Sequence, residues 1–207
     1  MEDILDVYAE AYMADYPVVC FDESPYQRIS ETRPAVATEP GQRERIDYEY
    51  QREGSCTLFL LFQPLQSWRH LTVTAQRTKH DFAEQMRTLV DVHFPKATLI
   101  SVVLDNLNTH TKASLYEAFE PKEAKRIADK LEFRYTPKHG SWLNMAECEF
   151  AVLSRQCLDR RLGSQHMVAQ EVVAWEQARN AVKATVNWRF TTETARKKLR
   201  RLYPSKS

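Results

Sequence analysis

The chain contains few glycines and lacks a long apolar stretch, and each shortage excludes a class of protein. Its 207 residues include only four glycines, at positions 41, 54, 140 and 163. Neither a GxGxxG dinucleotide motif nor a GxxxxGK[ST] phosphate loop can be written with them. No apolar run approaches the roughly 18 residues of a membrane span. We therefore expect neither of the usual nucleotide-binding loops and no membrane partner.

The cysteines and the first residues are also informative for what they lack. The four cysteines show no CxxC spacing, which makes a zinc site an unfavoured interpretation, and Cys20 and Cys56 lie inside apolar, strand-like runs. This pattern predicts reduced, buried thiols in a cytosolic protein. The opening sequence MEDILDVYAEAYMADYP is acidic where a signal peptide would be basic and apolar. Nothing in the sequence indicates export, so we expect a cytoplasmic location.

Charge is unevenly distributed although the formal net charge is only +1. Residues 1–24 hold seven acidic and no basic residues, whereas residues 183–207 hold eight basic residues and one acidic residue. A basic tail that also carries Trp188, Phe190 and Tyr203 suits a phosphate-binding surface. The alternative is an ordinary solvated helix face, and the sequence leaves both open.

A central strand is predicted by the apolar, β-branched run from Leu99 to Leu104. It stops abruptly at Asp105, Asn106 and Asn108, which is typical of a strand buried on both faces. The carboxyl ends of strands in open α/β sheets are where ligands bind, so Asp105 is a candidate functional acid. A single Asp there is also compatible with a plain turn.

The same pattern occurs earlier in the chain. The run Pro17 to Phe21 is apolar and strand-like, and it is followed by Asp22 and by the turn signal Ser24-Pro25. The sequence therefore predicts a second acid at a strand end.

The remaining periodicity predicts an α/β fold with a mixed sheet of order β-β-β-α-β-α-β. The predicted strands and helices are a short helix over 1–13, a hairpin of strands 57–62 and 70–75, a helix with Thr78 as its N-cap that stops before Pro95, helical residues 112–130 interrupted at Pro121, strand 131–135, and helices over 142–159, 165–186 and 192–203. Residues 26–55 show little periodicity and are predicted to form a long loop or irregular insertion.

A third acid lies on the predicted helix from Trp142 to Asp159. At 100° per residue, Glu147 is expected nearer the centre of the apolar face than Glu149. An inward carboxylate is costly unless it is paired or bound to a metal. Together with Asp22 and Asp105 it would suit Mg²⁺ or Mn²⁺, and two such ions about 4 Å apart support in-line phosphoryl transfer. The alternative is three scattered surface acids.

Three segments resemble the acidic motifs of DDE transposases in the bacterial insertion-sequence branch of the mariner superfamily. They are CFDES at 20–24, VVLDNLNTH at 102–110 and TPKHGSWLNMAECEF at 136–150. The similarity continues through IDYEYQREGS at 46–55 and through RNAVKATVNWRFTTETARKKLRRLYP at 179–204. The resemblance implies a ribonuclease H-like fold with a C-terminal helical extension. It maps the catalytic and metal-binding triad of the family onto Asp22, Asp105 and Glu147.

The resemblance also implies an activity and partners. These are divalent-metal-dependent DNA strand cleavage and strand transfer at insertion-sequence ends, with two Mg²⁺ or Mn²⁺ ions, transposon-end and target DNA, and a homodimer in the synaptic complex. The location implied is the bacterial cytoplasm, associated with the nucleoid. The corresponding division is 1–16 as an N-terminal helix or linker remnant, 17–160 as the catalytic domain, and 161–207 as a basic, helical extension of the same domain.

One departure from the family concerns DNA recognition. Such transposases usually carry an N-terminal helix-turn-helix region, but here only 21 residues precede Asp22. The chain would then be a truncated or frame-split product, or an upstream-encoded helix-turn-helix polypeptide would supply recognition. Two other functions stay open: a ribonuclease H-like nuclease without strand transfer, and a non-catalytic remnant that binds DNA or inhibits the full-length enzyme.

Several further residues are candidates for supporting the triad or contacting DNA. His110 could position a ligand, contact phosphate or cap the following helix. Asn106 and Asn144 could orient the carboxylates by hydrogen bonding. The other candidates are Lys138 and His139 as an anion site or a turn, Trp142 as a base-stacking or packing residue, and Arg45, Arg52 and Arg155 as phosphate contacts.

Overall fold

The structure, a computed structural model, describes residues 1–33 and 49–203. Within these residues, five strands form one sheet: β1 (Val18–Glu31), β2 (Tyr50–Gln63), β3 (Trp68–Thr74), β4 (Ile100–Leu104) and β5 (Leu131–Tyr135). In the described part of the chain, seven α-helices accompany them: α1 (Glu2–Ala9), α2 (Lys79–Thr88), α3 (Lys112–Ala118), α4 (Pro121–Asp129), α5 (Met145–Leu153), α6 (Gln165–Ala181) and α7 (Thr192–Lys198). Short π-helical turns extend α2 over Leu89–His93 and α5 over Ser154–Leu158, and 3₁₀ turns lie at Ser141–Leu143 and Arg200–Leu202.

The strand order is β3-β2-β1-β4-β5. Strands β1, β2 and β3 are antiparallel neighbours, whereas β1, β4 and β5 run parallel. The predicted mixed α/β sheet is therefore confirmed. The predicted break at Pro121 is also confirmed, because this proline occupies the first turn of α4, where its missing N–H costs nothing.

Two apolar layers cover the two faces of the sheet. Alternate residues of β1 and β2 point to opposite faces, as the pleat requires. Val18, Cys20 and Leu60 belong to the layer that includes residues of α1, α5 and α6. Val19 and Phe21 belong to the layer that includes residues of α2, α3 and α4. β4 is likewise buried on both faces, as predicted.

The prediction of a loop over 26–55 is wrong for its two flanks. β1 continues to Glu31 and β2 begins at Tyr50, and the two pair in an antiparallel ribbon beyond the sheet. The ribbon is polar and partly exposed, so it lacks the alternating apolar signal of a half-buried strand. The ribbon is held by backbone pairing between its two strands and by contacts with residues distant in sequence. One of these contacts is a hydrogen bond from the Tyr26 hydroxyl to the Arg160 carbonyl oxygen at 3.1 Å.

Pro25 lies inside β1, although it was predicted to start a turn. By that point β1 has lost β4 as a neighbour and pairs only with β2. A proline is tolerated in a strand at such an edge, because no ladder hydrogen bond is lost.

Other boundaries differ by less. α1 ends at Ala9 rather than near residue 13, α6 ends at Ala181 rather than 186, and the helix predicted over 142–159 is divided between a 3₁₀ turn, α5 and a π-helical turn. Thr78 caps α2 as predicted, in a reciprocal capping box with Asp81. All four cysteines are free thiols, but Cys148 is only half-buried.

The acidic N-terminus and the basic C-terminal segment contact each other. Arg196 of α7 forms a bidentate ion pair with Glu2 of α1 at 2.7 and 2.8 Å, and Thr192 donates to Asp6 at 2.7 Å. Part of the uneven charge distribution is therefore neutralised within the chain. Among the described residues, no helix has the length and apolar character needed to cross a bilayer.

Candidate active site

The register of β1 and β4 brings Asp22 and Asp105 to the same edge of the sheet. Cys20 pairs with Val103 in the parallel ladder, and each aspartate lies two residues further along its chain. Parallel neighbours are about 4.8 Å apart, so the two acids lie side by side where this parallel pairing stops. The prediction that Asp22 ends a strand is wrong, because β1 continues in its pairing with β2.

Glu147 reaches this edge from the first turn of α5. The side chain of Asn144 caps that helix by accepting from Ala146 N at 3.1 Å. It also donates its amide to the Phe21 carbonyl oxygen at 2.8 Å. The start of α5 is therefore tied to the residue that precedes Asp22. Asn144 was predicted to bond a carboxylate, but both of these hydrogen bonds go to the backbone.

The predicted orientation of the two glutamates on α5 is wrong. Glu147 is exposed, whereas Glu149 is fully buried. Glu149 forms a bidentate pair with Arg179 at 2.9 and 3.2 Å, and its Oε2 lies 3.0 Å from Nε of the buried Arg69. Apolar periodicity favours placing a charged residue at the edge of a buried face. It carries no information about Arg69 of β3 and Arg179 of α6, whose charges compensate the burial of the Glu149 carboxylate.

The pKa of the Asp22 carboxyl is unusually high in this site. Burial raises the pKa of its carboxyl, the Glu23 N–H at 2.9 Å opposes that rise, and the charges of Asp105, Glu147 and Glu23 raise it further, to about 7. Asp105 and Glu147 thus both lie close enough to Asp22 to disfavour its charged form. Such a donor set fits a hard divalent cation, whose charge would relieve the repulsion. Within residues 1–33 and 49–203, no three His, Cys, Asp or Glu side chains are already drawn together around a metal position.

His110 contacts two carboxylates and is buried, with 1% of its surface exposed. Its Nδ1 lies 2.5 Å from Asp105 Oδ1 and its Nε2 lies 2.7 Å from Glu23 Oε2. Burial lowers the pKa of His110, but hydrogen bonds to Asp105 and Glu23 and their charges raise it to about 9. Of the predicted roles, positioning a ligand agrees with this geometry, whereas phosphate contact does not.

Sequence reasoning missed Glu23. The alternation of β1 places it on the opposite face from Asp22, the face that carries the apolar residues Val19 and Phe21. A carboxylate on an apolar face requires a partner. The need for a partner, together with a histidine five residues after Asp105, was the sequence signal that could have identified Glu23.

A cavity of about 580 Å³ opens beside Asp105. Besides Asp105, its lining includes six polar or charged residues: Asn106, Asn108, Thr136, Lys138, His139 and Ser141. Lys138 and His139 belong to a tight turn in which Gly140 N donates to the Pro137 carbonyl oxygen at 2.8 Å. The predicted turn is thus present, and the anion site stays a prediction.

His139 adopts a left-handed conformation in that turn, with φ of 62°. The neighbouring Gly140 is packed so closely that a Cβ would lie 2.6 Å from a ring carbon of Pro137. The loop that carries Lys138 over the cavity is therefore locally constrained.

The other candidates lie further out. Trp142 packs edge-to-face on Phe190 at 5.2 Å between ring centroids, yet 41% of it is exposed. Arg52 is exposed on the β1–β2 ribbon, and Arg155 is exposed with its Nε donating to the Ala151 carbonyl oxygen. Arg45 falls outside the described residues.

Comparisons with known proteins assign this architecture to a family. The sequence profile of the DDE superfamily endonuclease family matches residues 17–168. The chain belongs to that family. A comparison with curated proteins gave no match.

Solved structures share the fold. The Mos1 transposase paired-end complex with left transposon end has a TM-score of 0.58 and 17% identity, covering 86% of this chain and 52% of that one. The Mos1 mariner paired end complex with Mn has a TM-score of 0.58 and 16% identity, covering 86% of this chain and 52% of that one. The catalytic domain of Mos1 mariner transposase gives 0.54 and 14% identity, covering 86% of this chain and 77% of that one. The chain spans about half the length of the transposases in the two complexes. The predicted ribonuclease H-like fold is thereby confirmed.

Proposed function

We propose that this chain is the catalytic domain of a transposase from the bacterial insertion-sequence branch of the mariner superfamily. It would cut DNA at the ends of an insertion sequence and join the freed 3′-hydroxyl to target DNA. The observation that carries the proposal is the parallel register of β1 and β4, which sets Asp22 beside Asp105. In addition, the hydrogen bond from the Asn144 side-chain amide to the Phe21 carbonyl oxygen holds the start of α5, and with it Glu147, at the same edge.

Asp22, Asp105 and Glu147 are proposed to hold two Mg²⁺ or Mn²⁺ ions. When bound, such ions activate the attacking oxygen and stabilise the leaving oxygen of an in-line displacement. The chain's own contribution is positional. Asp22 is half-buried at the sheet edge, whereas Glu147 is exposed at the rim, where a DNA phosphate can approach.

DNA is the proposed partner. Of the Mos1 complexes that share this fold, one holds a left transposon end and another is a paired end complex with Mn. In this chain, Lys138 and His139 line the cavity beside Asp105 and could contact the phosphates that flank the cleaved bond. Pairing of two ends implies a homodimer. End recognition by an upstream-encoded helix-turn-helix polypeptide belongs to the same proposal.

The test is cleavage of supercoiled plasmid by the purified chain with Mn²⁺, Mg²⁺ or chelator. Wild type is expected to nick only with a divalent ion, and D105N is expected to lose nicking. The matched control is D129N, because Asp129 is an exposed aspartate paired with Lys125 on α4. Equal nicking by D105N and wild type would contradict the proposed site.

Strand transfer needs a separate assay with pre-cut, labelled transposon ends. Ends that carry a 3′-hydroxyl are expected to join to plasmid, whereas 3′-dideoxy ends are not. Nicking without joining would identify a nuclease without strand transfer. Absence of both, together with inhibition of a full-length relative, would identify a non-catalytic remnant.

A further inference from the structure

His110 bridges the proposed metal ligand Asp105 and a carboxylate on the opposite face of β1. Its two ring nitrogens contact Asp105 Oδ1 at 2.5 Å and Glu23 Oε2 at 2.7 Å. The exposed side-chain fractions of His110 and Glu23 are 1% and 4%, against 30% for Asp105. The buried side chains of His110 and Glu23 therefore support Asp105, whose carboxylate is the exposed one of the three.

The ring of His110 is held on all sides. The rings of Phe21 and Phe82 lie 5.2 and 5.0 Å from it, and the Tyr135 hydroxyl donates to its backbone carbonyl oxygen at 2.7 Å. A packed aromatic cage leaves little space for another rotamer. His110 therefore cannot reach DNA without leaving the core.

Within the described parts of the chain, the hydrogen-bond contacts of the Asp105 carboxylate are confined to one oxygen. His110 Nδ1 lies against Oδ1, and Leu107 N donates to the same atom at 3.4 Å. A carboxylate fixed in this way offers its second oxygen, Oδ2, to a cation. Hydrogen-bond partners of this kind orient metal ligands and raise metal affinity.

We infer that Glu23 and His110 form a positioning pair that fixes the Asp105 carboxylate with Oδ2 available to a divalent cation. The inference rests on the proposed function of Asp105 as a metal ligand. Glu23 fixes the far side of the imidazole, so that the ring cannot rotate away from Asp105. Neither residue touches the reacting DNA.

Two substitutions of His110 separate positioning from bulk packing. The amide of H110N can occupy the place of Nδ1 and keep the contact with Asp105. The longer side chain of H110Q reaches the place of Nε2 and keeps the contact with Glu23 instead. Both variants remove the ring from the aromatic cage, so a purely structural role predicts similar effects for both.

The measurement is the Kd of Mn²⁺ for the full chain, by calorimetry and by the electron paramagnetic resonance of free Mn²⁺. H110Q is expected to weaken binding by about 10- to 100-fold, the usual cost of losing such a partner. H110N, which keeps the contact with Asp105 but loses the contact with Glu23, is expected to weaken binding less than H110Q, and E23Q is expected to weaken it about as much as H110N. The matched control is H70N, because His70 Nδ1 also contacts a carboxylate, Glu176 at 3.2 Å, but on β3.

Thermal melts of the apo proteins show which variants are folded. A folded H110Q with the wild-type Kd would overturn the inference, and so would equal losses in H110Q and H110N. If H110Q does not fold, an unchanged Kd in E23Q would overturn it. If D105N binds Mn²⁺ as wild type does, the proposed function itself fails, whereas Asp105-dependent binding that is insensitive to His110 and Glu23 refutes this inference alone.

Discussion

The side-chain amide of Asn144 donates to the carbonyl oxygen of Phe21 at 2.8 Å, across 123 residues of sequence. The same side chain caps α5. One buried residue thereby fixes the distance between the strand that carries Asp22 and the helix that carries Glu147. The site thus depends on a hydrogen bond made by a side chain that is neither acidic nor exposed.

Replacing Asn144 is expected to loosen this connection. N144A loses a helix cap, which costs about 1 kcal/mol, and leaves the buried Phe21 carbonyl without its donor, which costs about 1–3 kcal/mol. N144S can still cap α5 but cannot reach Phe21, so it should recover only the first part. Urea unfolding measures both. Equal stability of N144S and wild type would show that the contact with Phe21 contributes nothing.

The two glutamates of α5 are expected to differ sharply. E149A leaves the fully buried Arg69 without its charge partner and should cost about 3–5 kcal/mol of unfolding free energy, as breaking buried pairs does. E147A removes an exposed carboxylate from the same helix and should leave stability nearly unchanged or raise it, because it relieves repulsion of Asp22. Urea midpoints of the two variants measure this difference. Similar losses of stability in E149A and E147A would contradict the assignment of Glu149 as the buried partner of Arg69.

The sequence predicted what apolar periodicity encodes. The buried strands, the break at Pro121 and the placement of Asp105 after β4 all follow from runs and breaks in apolar residues. The ribbon of β1 and β2 and the burial of Glu149 could not be predicted in this way, because polar residues there are held by pairing with distant segments. Glu23 illustrates the same limit: its partner, His110, is 87 residues away. Strand ends and helical periodicity singled out Asp22, Asp105 and Glu147 and the family resemblance mapped a triad onto them, but neither pointed to Glu23.

The stability of the apo protein should depend on His93 at mildly acidic pH. Burial, with a smaller contribution from the nearby His70, lowers the pKa of His93 from 6.5 to about 4. Between pH 6.5 and 4 the unfolded chain binds a proton at this site that the folded chain does not. The stability contributed by neutral His93 is therefore lost as pH falls through this window, by up to about 1.4 kcal/mol per pH unit, whereas Asp22, whose pKa is raised, contributes with the opposite sign.

H93Q removes this titration, so the unfolding free energy of H93Q relative to that of wild type should rise as pH falls over the same window. Urea unfolding at half-unit pH steps provides the comparison. Parallel pH profiles for H93Q and wild type would show that His93 is protonated equally in both states.

DNA binding by this chain should rest mainly on phosphate contacts. If about six phosphates are neutralised, raising salt from 50 to 200 mM should weaken binding roughly a thousandfold. Lys138, beside the cavity at Asp105, is a proposed contact, so K138A should lower the salt slope by about one. K125A is the matched control, because Lys125 is paired with Asp129 on α4 and should leave the slope unchanged.

The measurement is a titration of labelled duplexes, with and without the terminal repeat of the element, at several salt concentrations. Contacts to phosphate carry no sequence information, so the two duplexes should bind with similar affinity. A strong preference for the repeat that persists at physiological salt would show that this chain reads bases itself. Recognition would then not require a separate helix-turn-helix polypeptide, and that part of the proposed function would be wrong.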